Sequence, residues 1–311
     1  MSQDLRIEHK EHTSFITTRT LHSRLWFHKN PKLNYLITAY LAKYQEKYLV
    51  KLYFFVLMGN HYHLGADFPQ GNRASFMRDL NAIIAKLTRY HVKGCEAGGP
   101  LWQRRYRSQA LVRDEDRERY FLYAALNPVS SGLVRKLSDY HSGYNSCFDA
   151  IRGINRTYTL IDWRSYRDKV RFNRALTPQD FEVHYTLTFS RLPGYEALSA
   201  KEYERLFREK IEEERQRLVQ EREERGEGFA GWHALKRLTP GALPRSTKRS
   251  GRYDPRPLVL TSCRETKQAY LEFYFGIRAA FTECYEALKR GVTGVLFPPG
   301  TYHPPLGWVT A

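Results

Sequence analysis

The 311-residue chain carries 50 Lys and Arg against 33 Asp and Glu, a formal net charge of +17, with a mean hydropathy of −0.60. No run approaches the roughly 18 uninterrupted apolar residues of a membrane span, and "MSQDLRIEHKEHTSF" holds no apolar secretory core, so a cytoplasmic protein is expected. Four widely spaced cysteines (Cys95, Cys147, Cys263, Cys284) argue against a disulfide framework and a cysteine-built zinc site.

Residues 14–27, rich in Thr, Phe and Ile with partial alternation, read as a strand. Residues 31–48 repeat apolar side chains at three and four behind Pro31, the pattern of an amphipathic helix. "LVKLYFFVLM" (49–58) and "HYHLGADF" (61–68), split by Gly59-Asn60, read as two strands joined by a tight turn. A second helix spans 73–94 and ends at Gly94. "SQALVR" forms a short strand, and "EDRERYFLYAALN" (115–127) a third helix stopped by Pro128. The order β-α-β-β-α-β-α within residues 1–150 predicts an α+β, ferredoxin-like domain, an antiparallel sheet with helices packed on one face.

Residues 151–311 read as a basic C-terminal extension, mostly helical and loop-rich. The stretch 151–198 is irregular, with a short strand near "FEVHYTLTF". Ser199 and Glu202 make a capping box that opens a charged helix at about 199–225, with Tyr203, Phe207, Ile211 and Leu218 along one stripe. About 233–256 is an extended basic loop with seven Lys or Arg and one Asp, and a further helix covers about 262–290. Both halves are basic, +9 over 1–150 and +8 over 151–311. Nucleic acid is therefore favoured over an acidic membrane as partner, and the 22 Tyr, 17 Phe and 5 Trp add rings on which unpaired bases could stack.

His61 and His63 stand at i and i+2 on a strand, so both imidazoles share one sheet face, with backbones about 7 Å apart. Imidazole suits several first-row metals, but two ligands hold a divalent ion poorly. In "YAALN", Tyr123 and Asn127 are i, i+4 neighbours on a helix. A carboxamide oxygen is a hard neutral ligand. A phenol becomes a nucleophile once deprotonated, although its ordinary pKa near 10 means it needs help. Taken singly, each feature also has a plain reading: two ordinary strand histidines, and a helix tyrosine half-buried in packing.

"FVLMGNHYHL", "LWQRRYRSQALV", "YFLYAALNPVSSGLV" and "DYHSGYNS" occur in this order. Together they resemble the single-tyrosine HUH transposases, in particular REP-associated tyrosine transposases, over roughly residues 12–148. The resemblance implies the HUH nuclease fold, with His61, His63 and Asn127 as ligands of Mg²⁺ or Mn²⁺ and Tyr123 as the catalytic nucleophile. It also implies a single-stranded DNA endonuclease and strand transferase acting on a hairpin or palindromic REP-like repeat through a 5′-phosphotyrosine intermediate. Tyr120, one turn earlier, is a rival nucleophile. Gly59 departs from the family's usual Pro, and Tyr62 from its usual aliphatic residue. Lys86, Arg89, Arg104, Arg105 and Arg107 are candidate phosphate contacts and Trp102 a candidate stacking ring. A non-catalytic single-stranded DNA or RNA hairpin-binding protein on the same fold is the alternative. A water-using metal-dependent phosphodiesterase is a third reading. The oligomeric state stays open between homodimer and monomer.

Overall fold

The computed structural model describes residues 5–95, 99–244 and 257–304. Five strands form one antiparallel sheet in the order β4-β1-β3-β2-β5: β1 (Thr13–Arg19), β2 (Lys51–Leu57), β3 (His61–Asp67), β4 (Arg107–Leu111) and β5 (Tyr144–Asn145). The helices α1 (Pro31–Tyr48), α2 (Arg73–His91) and α3 (Asp114–Ala125) interleave with the first four strands in the order read from the sequence. The α+β class, an antiparallel sheet carrying helices followed by a helical C-terminal region, is present.

Two expectations change. The strand read over 14–27 ends at Arg19, because Leu21–Ser23 turns as a short 3-10 segment with His22 and Ser23 at positive φ. The helices cover both faces of the sheet, not one. Ile16, Leu52, Phe55, Tyr62 and Leu64 form a core with the buried residues of α1 and α2. On the other face Phe15, Phe54 and Val56 pack with Phe121 of α3, with α5 (Cys147–Arg152), and with Tyr203, Phe207 and Ile211 of α7 (Ala200–Glu224). β2 carries a bulge between Leu52 and Phe54, which sends Tyr53 and Phe54 to the same side. Phe54 then crosses Gly65 on β3, where an added Cβ would lie 2.3 Å from its ring, so only glycine fits beneath it.

Pro128 does not simply stop the third helix. The break falls at Leu126, and Asn127 and Pro128 open a separate turn, α4 (Asn127–Ser130), where a proline near the helix start costs nothing. Asn145 donates from Nδ2 to the Ala125 carbonyl at 2.9 Å, satisfying one of the acceptors left at the end of α3. Gly143 precedes β5 where a Cβ would lie 1.9 Å from the Leu57 carbonyl oxygen, which accounts for the glycine in "DYHSGYNS".

The stretch read as irregular contains β6 (Arg156–Ile161), α6 (Trp163–Val170) and β7 (Glu182–Leu187). The two strands form a separate antiparallel hairpin, and Tyr158, Leu160 and Leu187 pack into the α1 side of the core. The start of the stretch read as an extended loop is helical, within α8 (Gly231–Arg237), while residues 245–256 of it lie outside the described residues. The last described helix is α9 (Arg264–Lys289).

Phe207 is fully buried against Phe121 and Tyr203 and ties α7 to α3. Phe207→Ala should therefore lower unfolding free energy by about 3–5 kcal/mol in urea titrations, while the exposed Glu213→Ala should stay within about 0.5 kcal/mol.

Candidate active site

His61 and His63 lie on β3 with their side chains on the α3 side of the sheet, and their ring centroids are 4.9 Å apart with planes 82° to one another. Tyr62 points to the opposite face, where its hydroxyl lies 2.8 Å from Asn81 Oδ1, so its bulk does not reach the imidazoles. A two-residue turn at Gly59-Asn60 closes the hairpin through the Met58 amide donating to the His61 carbonyl at 2.8 Å.

The hydrogen bonds decide which nitrogen of each ring is free. Asn60 Nδ2 donates to the Ser23 carbonyl at 2.9 Å, so its Oδ1 is the acceptor left for His61 Nδ1, 2.6 Å away. His61 therefore carries its proton on Nδ1 and leaves Nε2 with a lone pair. His63 Nδ1 lies 3.0 Å from Thr17 Oγ1, and its Nε2 faces Asn127 Nδ2 at 3.1 Å. An amide N–H donating to Nε2 again requires the proton on Nδ1. Both rings thus aim an unprotonated Nε2 away from an oxygen that holds Nδ1–H, the arrangement metal-binding histidines use.

Burial, first, and the nearby Arg19 cation hold the His61 pKa down to about 3. Burial, His61 and Arg19 push His63 well below its ordinary value. Neutral imidazoles are the form that ligates. Asn127 is 4% exposed and touches His63 from α4. Its amide nitrogen faces the ring; half a turn about the terminal bond would present Oδ1 instead. Among the described residues no cluster of three His, Cys, Asp or Glu side chains assembles, so a third ligand here would have to be this carboxamide or another neutral group. Two imidazole nitrogens and an amide oxygen fit a first-row divalent ion.

The Tyr123 ring stands 5.4 Å from the His63 ring, edge to face, and is 46% exposed. Tyr120 packs on Phe15 at 5.0 Å and lies 5.9 Å from Tyr123. Burial raises the Tyr123 pKa and Arg19 opposes that rise. Arg19, which no sequence motif singles out, pairs directly opposite His61 on β1, and cross-strand partners project to the same face. It is exposed, and among the described residues no carboxylate forms an ion pair with it. The strand "TSFITTR" does show Arg19 two residues beyond Thr17 and hence on its face. Its pairing with His61 is not visible there, because register comes from the partner strand.

The other candidate contacts divide. Arg107 pairs with Thr17, and Thr17 with His63, so its Cα lies in the same cross-sheet row as the site. Arg104 and Arg105 are exposed just before it. Lys86 and Arg89 are exposed on α2, across the sheet from the imidazoles. Trp102 is half-buried between Phe27 and Tyr62 and donates from Nε1 to the Asn81 carbonyl at 3.0 Å, so it sits in the core rim on the far face.

No family model matches the chain, and no curated protein matches it. Among solved structures the chain is similar to a REP-associated tyrosine transposase bound to a REP hairpin. The match has 22% identity over 47% of this chain and 82% of that one, with a TM-score of 0.34. No helix among the described residues is long and apolar enough to cross a membrane.

The imidazole environment has a pH signature. In metal-free protein the His61 ring should keep the NMR shifts of a neutral Nδ1–H tautomer as pH falls through 6.5, where an exposed histidine protonates, and should change only towards pH 3. A midpoint near 6.5 would contradict the partly buried placement beside Arg19.

Proposed function

We propose that the chain is a metal-dependent single-stranded DNA endonuclease and strand transferase of the HUH type, with Tyr123 as nucleophile and His61, His63 and Asn127 as ligands of Mg²⁺ or Mn²⁺. The observation that carries this reading is the convergence of Tyr123 and Asn127, from two consecutive helical segments, on the imidazole of His63. A bound divalent ion would supply Lewis-acid polarisation of the scissile phosphate. Arg19, on the same face, offsets phosphate charge and favours the phenolate. The phenol oxygen bonds to phosphorus, the P–O3′ bond breaks, and the proton lost by the phenol is matched by the one gained by the leaving 3′ oxygen. The product is a 5′-phosphotyrosine, which a second 3′-hydroxyl can reverse with no external energy source, so strands are exchanged instead of hydrolysed.

The partner in this reading is a single-stranded hairpin or palindromic repeat. The exposed Arg104, Arg105 and Arg107 stand towards the β1 and β4 side of the site, suited to phosphate contacts. The alternative, a hairpin-binding protein without chemistry, draws on the same basic surface and would need neither the phenol nor a metal.

Incubation with a labelled hairpin oligonucleotide and Mg²⁺ or Mn²⁺, followed by denaturing electrophoresis, separates the readings. A covalent adduct should form, vanish in EDTA, vanish in Tyr123→Phe and persist in Tyr120→Phe. An adduct that survives Tyr123→Phe transfers the role to Tyr120, and binding without an adduct under any metal leaves the non-catalytic alternative. Cleavage with no adduct would indicate water as nucleophile. Thr17→Val should weaken Mn²⁺ binding by about 10–100-fold in calorimetry, since it removes the oxygen that orients His63.

A further inference from the structure

A second surface of the molecule has the make-up of a strand-binding platform. It lies on the β6–α6–β7 unit, which packs on α1 through Tyr158, Leu160 and Leu187, across the sheet from His61, His63 and Tyr123. Residues 163–174 place Arg164, Arg167, Lys169, Arg171 and Arg174 in one short stretch against a single acid, Asp168. All five cations are exposed, and no ion pair joins any of them to a carboxylate among the described residues. The flanking acids are engaged elsewhere. Asp162 caps α6, accepting from the Arg164 and Ser165 amides and the Ser165 hydroxyl, and Asp180 accepts from the Thr177 amide and hydroxyl.

Helix stabilisation does not account for this charge. Arg167 and Lys169 sit in the last turn of α6, where cations complement the macrodipole. Arg164 is in the first turn, where a cation is disfavoured, and Arg171 and Arg174 follow the helix. Two rings are exposed in the same stretch: Phe172 at 92% and Trp163 at 51%, with Trp163 edge-on to Tyr166 at 5.9 Å. One exposed ring is ordinary on a protein surface. An almost wholly exposed Phe172 with Arg171 beside it and Arg174 two residues on is the combination that single-stranded nucleic acids use, phosphates on cations and bases on rings.

We propose that residues 163–174 form a second binding site for single-stranded nucleic acid, remote from the candidate active site, with Arg164, Arg167, Lys169, Arg171 and Arg174 on phosphates and Phe172 and Trp163 stacked on bases. The site does not depend on the chemistry proposed for Tyr123. It would hold a flanking strand on the α1 side of the sheet.

The test uses the full chain carrying Tyr123→Phe, in EDTA, so that binding is read without covalent attachment or metal. Fluorescence anisotropy is measured with labelled 20-nucleotide DNA and RNA of mixed sequence, from 50 to 300 mM salt. Arg167→Gln/Arg171→Gln/Arg174→Gln should reduce the log–log salt slope by about 2, at ~0.7 for each single-strand phosphate no longer neutralised. Phe172→Ala should weaken binding about tenfold with the slope unchanged. Circular dichroism should match the parent for both, since every altered side chain is exposed. Equal losses on DNA and RNA indicate a backbone-and-stacking site; a loss on one alone assigns the sugar it accepts, and either supports the proposal. Unchanged affinity and slope in the triple variant overturn it. So does Phe172→Ala without effect alongside tighter binding to vesicles of one quarter phosphatidylserine in phosphatidylcholine than to either oligonucleotide, which would make the patch a lipid surface. An adduct assay that fails while these losses hold would remove the transferase reading and leave this site standing.

Discussion

The antiparallel register of β1 against β3 is the constraint on which the candidate site rests. It sets Thr17 against His63 and Arg19 against His61. Strand side chains alternate faces, so a slip of one residue would bring Thr18 beside His63 and turn the neutral-imidazole pocket into a different surface. Several contacts lock the register. Ile16 lies opposite Leu64 with both buried on the α1 side, and Phe15 lies opposite Gly65 on the α3 side. The Thr18 and Tyr62 hydroxyls meet at 3.3 Å on the buried far face. Moving the strand would leave these hydroxyls and the aromatic side chains in the wrong layers at once, which costs far more than any one contact.

The second requirement is that a helix deliver two different groups to one ring. On a continuous helix, Tyr123 and Asn127 would sit almost one above the other along the axis. Here Tyr123 lies near the end of α3 and Asn127 opens α4 across the junction at Leu126, and both reach His63, Asn127 at Nε2 and Tyr123 with its ring edge-to-face. This geometry needs support behind it. Val129 of α4 and Phe121 of α3 pack into the same core as Tyr203, Phe207 and Ile211 of α7. Lys210 of α7 reaches Glu118 of α3 at 2.6 Å. The charged helix with its apolar stripe therefore braces the segment that carries the phenol.

What the sequence disclosed follows from the range of each signal. Hairpin turn, strand alternation and capping box are local, and the Gly59-Asn60 turn, the His61/His63 face and the Ser199–Glu202 box all appear in the structure. The apolar stripe of Tyr203, Phe207 and Ile211 is visible too, but nothing in it says that the other face of the sheet is its partner. The same limit hides Arg19: a lone arginine at a strand end has no pattern, and only pairing with His61 gives it a neighbour. Trp102 shows another limit: an aromatic amid arginines reads as a stacking ring, and nothing local tells that its indole packs beside Phe27 and Tyr62 and donates to the Asn81 carbonyl. The β6–β7 hairpin escapes a sequence reading because "RTYTLI" and "EVHYTL" are separated by a helix and a turn, so neither carries a hairpin signal by itself.

Net charge is the coarsest of these signals, and pairing refines it. Along α7, Arg208, Arg215, Arg217 and Arg222 each meet a glutamate, so the most arginine-rich helix offers little free charge to a polyanion. The cations of α6 and its following turn, and Arg104 and Arg105 before β4, have no carboxylate partner among the described residues. An exposed pair of opposite charges is worth little to stability and largely cancels at the distance of a Debye length, whereas unpaired cations add their fields. Among the described residues, exposed cations without a carboxylate partner thus include Arg19 on the imidazole face and the α6 stretch on the α1 side. If both proposed surfaces held one nucleic acid, the segment between them would have to bend around the edge of the sheet, which a flexible single strand can do and a short duplex stem, a stiff rod, cannot.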